Sequence, residues 1–270
     1  MRRRNRHTAP PVYKCVVFLI VILLAARLVS CGKSDDECAA GTTQPASMQE
    51  LFETALEPMG STMYVWGGGW DSDNASAGRS ARQLGVSKKW AQFAAGQDAD
   101  YDFKEHRYEA ENGLDCSGYV GWVMYNLFET RNGREGYVTF STKMAEDFAS
   151  RGWGRLIKNP HTFLPGDIVS MEGHVWISLG TCADGSVLLM HSSPPGVSVC
   201  GTAVSEQSIA VQLATAYMSE HYPNWQEKYP NRAVPQTYLE DVTVLRWNSK
   251  TLEDAKEYQS LSGEAMIDLL

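Results

Sequence analysis

The chain has 270 residues, of which 43% are hydrophobic and 21% charged, with a formal net charge of −8. That length and composition fit one main globular domain and exclude a low-complexity or repeat protein. Every charge in residues 1–27 is positive, so the rest is more acidic than the whole, which argues against a nucleic-acid partner because phosphate binding needs clustered Lys and Arg.

The basic arm precedes "CVVFLIVILLAA" (15–26), an apolar run of signal-peptide length, shorter than the roughly 20 residues that a full span needs. Positive charge ahead of it keeps the N-terminus inside and sends the acidic body out. "LVSC" (28–31) then resembles the lipobox of bacterial lipoprotein precursors, with Cys31 as the lipidated residue. Arg27 beside the cut leaves an uncleaved anchor as the alternative. Residues 1–30 are thus expected as signal peptide or membrane anchor, and the polar stretch 31–46 as a flexible tether reaching about 20–25 Å. Either way the body is extracytoplasmic, tethered to the bacterial cell membrane.

"SMQE" (47–50) has the capping-box form, and Leu51, Ala55, Leu56 and Met59 follow at helical spacing until Pro58 and Gly60 end the helix. "TMYVWGGGW" (62–70) is an aromatic run broken by three glycines. The polar stretch 71–112 contains one helix around "SKKWAQFAA" and is too long for an ordinary loop, so it is expected as an inserted lid or subdomain. "DCSGYVGWVMYNLF" (115–128) reads as a buried helix with Asp115 as N-cap, and "TKMAEDFASRG" (142–152) as an amphipathic segment. "PGDIVSMEG", "HVWISLGTC", "SVLLMHSS" and "VSVC" are short β-rich runs separated by turn residues, and "VTVLRW" (242–247) is a further strand. A helical tail is expected over 251–270. Helices followed by an antiparallel meander give an α+β domain.

Cys182 and Cys200 flank "SVLLMH" at strand ends; they either face each other across neighbouring strands as a disulfide or are two free core thiols. Cys116 has no evident partner. It lies in the first turn of the expected helix, where unpaired N–H groups and the macrodipole favour a thiolate. A nucleophile also needs a base and a group to orient that base. His174 opens one strand and His191 closes the next, so antiparallel pairing brings both to one sheet edge. A Cys/His/His zinc site is the competing reading, but no Cys-x-x-Cys or His-x-x-x-His pair supports it, so neither metal nor cofactor is expected.

Taken in order, "YVWGGG", "DCSGYV", "LPGDIV", "GHVWISLG" and "LLMHSS" resemble the NlpC-type cell-wall cysteine peptidases, a branch of the papain-like fold. The resemblance implies a papain-like catalytic domain over 47–270, with 201–270 as an extended C-terminal part. It implies Cys116 as nucleophile, His174 as base and His191 as the orienting member. Tyr64 would help bind the oxyanion, and Asp115 and Ser117 would line the substrate cleft. The implied reaction is cleavage of the amide after γ-D-glutamate in peptidoglycan stem peptides. The alternatives are an N-acetylmuramoyl-L-alanine amidase and a non-catalytic wall-binding module.

Overall fold

The structure is a computed structural model that describes residues 45–132 and 135–270. The expected anchor, the lipidation residue Cys31 and almost all of the tether lie outside the described residues. The tether's last residue belongs instead to the body. Ala46 is buried and, as part of strand β1 (Ala46–Ser47), pairs in parallel with Leu252.

Ser47 then caps helix α1 (Met48–Leu56) in the expected reciprocal box. Its Oγ accepts from the Glu50 N–H at 3.1 Å, and its own N–H donates to the Glu50 carboxylate at 2.7 Å. The helix buries Met48, Leu51, Phe52 and Ala55. Strand β2 (Met63–Tyr64) follows, then a small hairpin of β3 (Trp70–Asp71) and β4 (Ser76–Ala77), and helix α2 (Lys88–Ala95). The 71–112 stretch is a packed subdomain and not a detached flap. Trp90 is fully buried edge-on to Trp122, and Ala81 and Ala94 share its core.

Strand β5 (Gly113–Leu114) pairs in parallel with β2 and leads into helix α3 (Cys116–Asn132). The glycine run packs against the first turn of α3. A Cβ on Gly118 would lie 2.0 Å from the Gly68 carbonyl oxygen, so only glycine admits the approach. Helix α4 (Met144–Ser150) and strand β6 (Gly154–Lys158) precede the meander of β7 (Ile168–Met171), β8 (His174–Thr181), β9 (Val187–Ser193) and β10 (Gly196–Ala203). The three consecutive pairs among these four strands are all antiparallel.

Helices α5 (Ile209–His221) and α6 (Pro223–Lys228) lead to β11 (Ala233–Pro235), parallel to β10. Strand β12 (Thr243–Trp247) runs antiparallel to both β6 and β7 and so inserts between them. A bidentate pair fixes it there: Arg246 Nε and Nη2 reach the two oxygens of the fully buried Asp167 at 3.0 and 2.7 Å. The described residues thus form a nine-stranded sheet, ordered β5-β2-β10-β9-β8-β7-β12-β6 with β11 beside β10. The fold is α+β.

Strand alternation divides the interior. Val175, Ile177 and Leu179 join the helices in one core, while Trp176, Val187, Leu189 and Val244 form a second on the other face. One open choice is resolved here and one expectation fails. Cys182 and Cys200 are both free thiols, because β9 separates β8 from β10 and the two sulfurs belong to different cores. The tail is not one helix: only α7 (Gly263–Ile267) is α-helical, after β13 (Leu252–Glu253), the partner of β1. Asp254 accepts from the Tyr258 and Gln259 N–H groups at 2.8 and 3.0 Å and Glu257 takes a left-handed conformation (φ 55°), local bonds that compete with a continuous helix.

Candidate active site

Asp115 is the N-cap of α3. Its Oδ1 accepts from the Gly118 N–H at 2.7 Å and from the Ser117 hydroxyl at 2.8 Å, and its carbonyl accepts the Tyr119 N–H at 2.9 Å. Oδ2 accepts from Gly67 N–H at 3.2 Å, so one buried carboxylate ties the glycine run to the helix start. Burial pushes its pKa up to about 6 against the pull of these donors. Ser117 in turn accepts from Trp70 Nε1 at 2.8 Å. Both residues line the cleft around the thiol, but their polar atoms already serve the scaffold.

Cys116 follows as the first residue of the helix, 7% exposed. Burial pushes its thiol up to about 12, and the adjacent Asp115 carboxylate adds to that push. The N–H groups of Val175, Ser117 and Cys116 itself pull the other way. The helix start is therefore not enough: the thiol is neutral at rest, where the sequence pointed to a thiolate.

His174 and His191 are brought together as expected. His174 Nε2 stands 3.0 Å from His191 Nδ1, with the rings at 85°. Burial pushes His174 down to about 4. His191 lies well below the ordinary histidine range, chiefly from burial and then from the charges of His174 and Arg232. Both imidazoles are neutral, so one nitrogen of the contact donates and the other accepts. If Nε2 of His174 donates, its Nδ1 lone pair remains for a thiol proton. The sulfur reaches the same strand through the Val175 N–H, next in sequence to His174. Among the described residues no hydrogen bond joins Cys116 Sγ to either imidazole.

Tyr64 lies beside the thiol. Its carbonyl accepts from the Tyr101 hydroxyl at 2.8 Å and its ring meets Phe103 edge-on. Its own hydroxyl is raised by burial first and then by Cys116 and Asp115, so it is a neutral donor at any physiological pH.

The chain matches no protein-family model, no curated protein and no solved structure.

Around the thiol opens a cleft of about 370 Å³, walled by Tyr64, Trp66, Trp70, Tyr108 and Phe140 and reached by Gly173, the residue before His174. Tyr238 packs against His174 and His191, with ring centroids at 5.1 and 6.0 Å. No sequence signal marked it, since "QTYLE" carries neither a motif nor a period. Arg107, over the Trp66 ring, also went unmarked. Among the described residues no cluster of three His, Cys, Asp or Glu side chains is arranged to hold a metal ion. The site offers a neutral thiol, a neutral imidazole pair and donors around one sulfur, the requirements for acyl transfer by general-base-assisted thiol attack.

Proposed function

We propose that this chain is a papain-like, NlpC-type cysteine endopeptidase, held at the outer face of the bacterial membrane by its N-terminal segment, which cleaves peptidoglycan stem peptides after γ-D-glutamate. The observation that carries this reading is the meeting of Cys116, at the start of α3, with β8, the strand that begins with His174, itself bonded to His191.

His174 takes the thiol proton as sulfur attacks the amide carbonyl, so the charged pair exists only as the bond forms. The oxyanion that develops is met by the Cys116 N–H and the Tyr64 hydroxyl; donors of this kind contribute about 2.7–4 kcal/mol each. The imidazolium then protonates the leaving amine and the C–N bond breaks, leaving a thioacyl-enzyme. Water, deprotonated by His174, releases the acid and restores the thiol. His191 fixes the tautomer of His174 throughout, and being neutral it stabilises imidazolium less than a carboxylate would. Neither metal nor cofactor enters these steps.

The absence of a resting Cys116–His174 hydrogen bond favours a second reading, a non-catalytic wall-binding module. Incubating the membrane-extracted full chain and its Cys116→Ala variant with muropeptides, followed by mass spectrometry, separates the two. A fragment beginning at the diamino acid, released only by the intact cysteine, is the expected result. Release of the whole stem would instead identify an N-acetylmuramoyl-L-alanine amidase, and unchanged muropeptides with a folded protein would favour the binding module.

A further inference from the structure

The subdomain at 71–112 places a cation, Arg107, beside the cleft, over the lining residue Trp66. Two cations near it in this stretch are paired: Lys89 with Glu111, and His106 with Glu109 at 3.2 Å. Arg107 is exposed and, among the described residues, has no ion pair or hydrogen bond. It lies over an aromatic face, the guanidinium carbon 5.6 Å from the centroid of Trp66. Trp66 is itself 47% exposed and lines the cleft with Cys116, as does the next residue, Tyr108. The Arg107 charge opposes, weakly, the upward shift of the Tyr64 hydroxyl, another residue that lines the cleft.

The arrangement suits a particular ligand group. Stacking on an indole holds the planar guanidinium by one face and leaves its N–H edge open. That edge matches a carboxylate, which accepts two parallel bonds from it. The body is strongly acidic and repels anions in general, so an anionic substrate needs a local cation to enter this cleft.

We infer that Arg107, stacked on Trp66, is a specificity-determining residue that binds a free carboxylate on the acyl side of the scissile amide. This rests on the proposed endopeptidase reading, in which the carboxylate is the α-carboxylate left free by a γ-linked glutamate. A stem peptide amidated at that position presents a neutral carboxamide and forfeits the charge-assisted pair. The enzyme therefore selects non-amidated stems.

The test compares two γ-D-glutamyl stem peptides that differ only in α-carboxylate or α-carboxamide, with the full chain, Arg107→Gln and Arg107→Lys. The expected kcat/KM ratio is about tenfold in favour of the carboxylate, falling to near one in Arg107→Gln and to an intermediate value in Arg107→Lys, which keeps charge but loses the planar fork. Equal rates for both peptides, or a preference that survives Arg107→Gln, would overturn the inference. Binding of the same peptides to Cys116→Ala, followed by Trp66 fluorescence, covers the case in which neither is cleaved. Tighter binding of the carboxylate form that disappears in Cys116→Ala/Arg107→Gln would uphold the Arg107 site while the endopeptidase reading fell; equal binding of the two forms would overturn the site as well.

Discussion

His174 and His191 meet nitrogen to nitrogen at 3.0 Å, both uncharged, on neighbouring strands of one sheet. A resting thiolate–imidazolium couple needs a histidine that accepts and keeps a proton. Here burial moves the imidazoles down and the thiol up, which disfavours the charged couple at rest.

Alkylation reads this directly. With its thiol pushed up to about 12, free Cys116 should react slowly with iodoacetamide at neutral pH. Its rate should then rise about tenfold per pH unit through the alkaline range, because the thiolate is the nucleophile. Peptide mass spectrometry of labelled protein measures it. A plateau already at pH 6–7 would mean a preformed ion pair and would contradict the neutral site.

The same burial couples the site to stability in acid. An unfolded histidine binds its proton near 6.5, whereas folded His174 holds off protonation to about 4 and His191 is also held well below the ordinary value. Their contribution is intact above about 6.5 and is lost as the pH falls toward 4. Asp115 runs the other way: its folded value of about 6 exceeds the unfolded one near 3.9, so its contribution is present at low pH and lost as the pH rises through 6. Urea midpoints between pH 4 and 7 should therefore fall more gently on acidification in His191→Asn than in the native chain. They should fall more steeply in Asp115→Asn. Parallel curves would show that these groups titrate alike folded and unfolded.

Asp115→Ala should destabilise the fold by about 2–4 kcal/mol, since it removes a helix cap and strips the acceptor from the Gly67 N–H. Cys116→Ala removes only a small, mostly buried sulfur and should stay within about 1–2 kcal/mol while abolishing turnover. Denaturant unfolding with matched assays separates the two kinds of loss.

Excising residues 72–111 should yield an unfolded or aggregated chain and not a broader-specificity enzyme. It removes Trp90 from beside Trp122, and the Tyr101 hydroxyl from the Tyr64 carbonyl. A cooperative melt of the excised chain would show that the stretch is dispensable after all.

Local chemistry made much of this readable in advance. Ser47 and Glu50 announce their box within four residues, and Asp115 its cap within three. The His174–His191 contact follows from strand ends and alternation. Long-range choices left no such mark. Nothing near "VTVLRW" says that β12 inserts between β6 and β7, because its Arg246–Asp167 partnership spans 79 residues. Cys182 and Cys200 look like neighbours only until β9 is placed between their strands. Arg107 sits in a stretch with no period at all, and the charge state of the thiol depends on how deeply it is buried, which spacing does not encode.

The parallel ladder of Ala46 and Ser47 with Leu252 and Glu253 has a consequence for the order in which the body is completed. Synthesis from the N-terminus delivers β1 at the outset and its partner strand almost last. Helix α1 is left without its flanking pair, and β7 without β12, until the final segment has emerged. Late closure of this kind leaves the sheet that carries His174 and His191 unfinished at its far side until nearly the whole polypeptide is available.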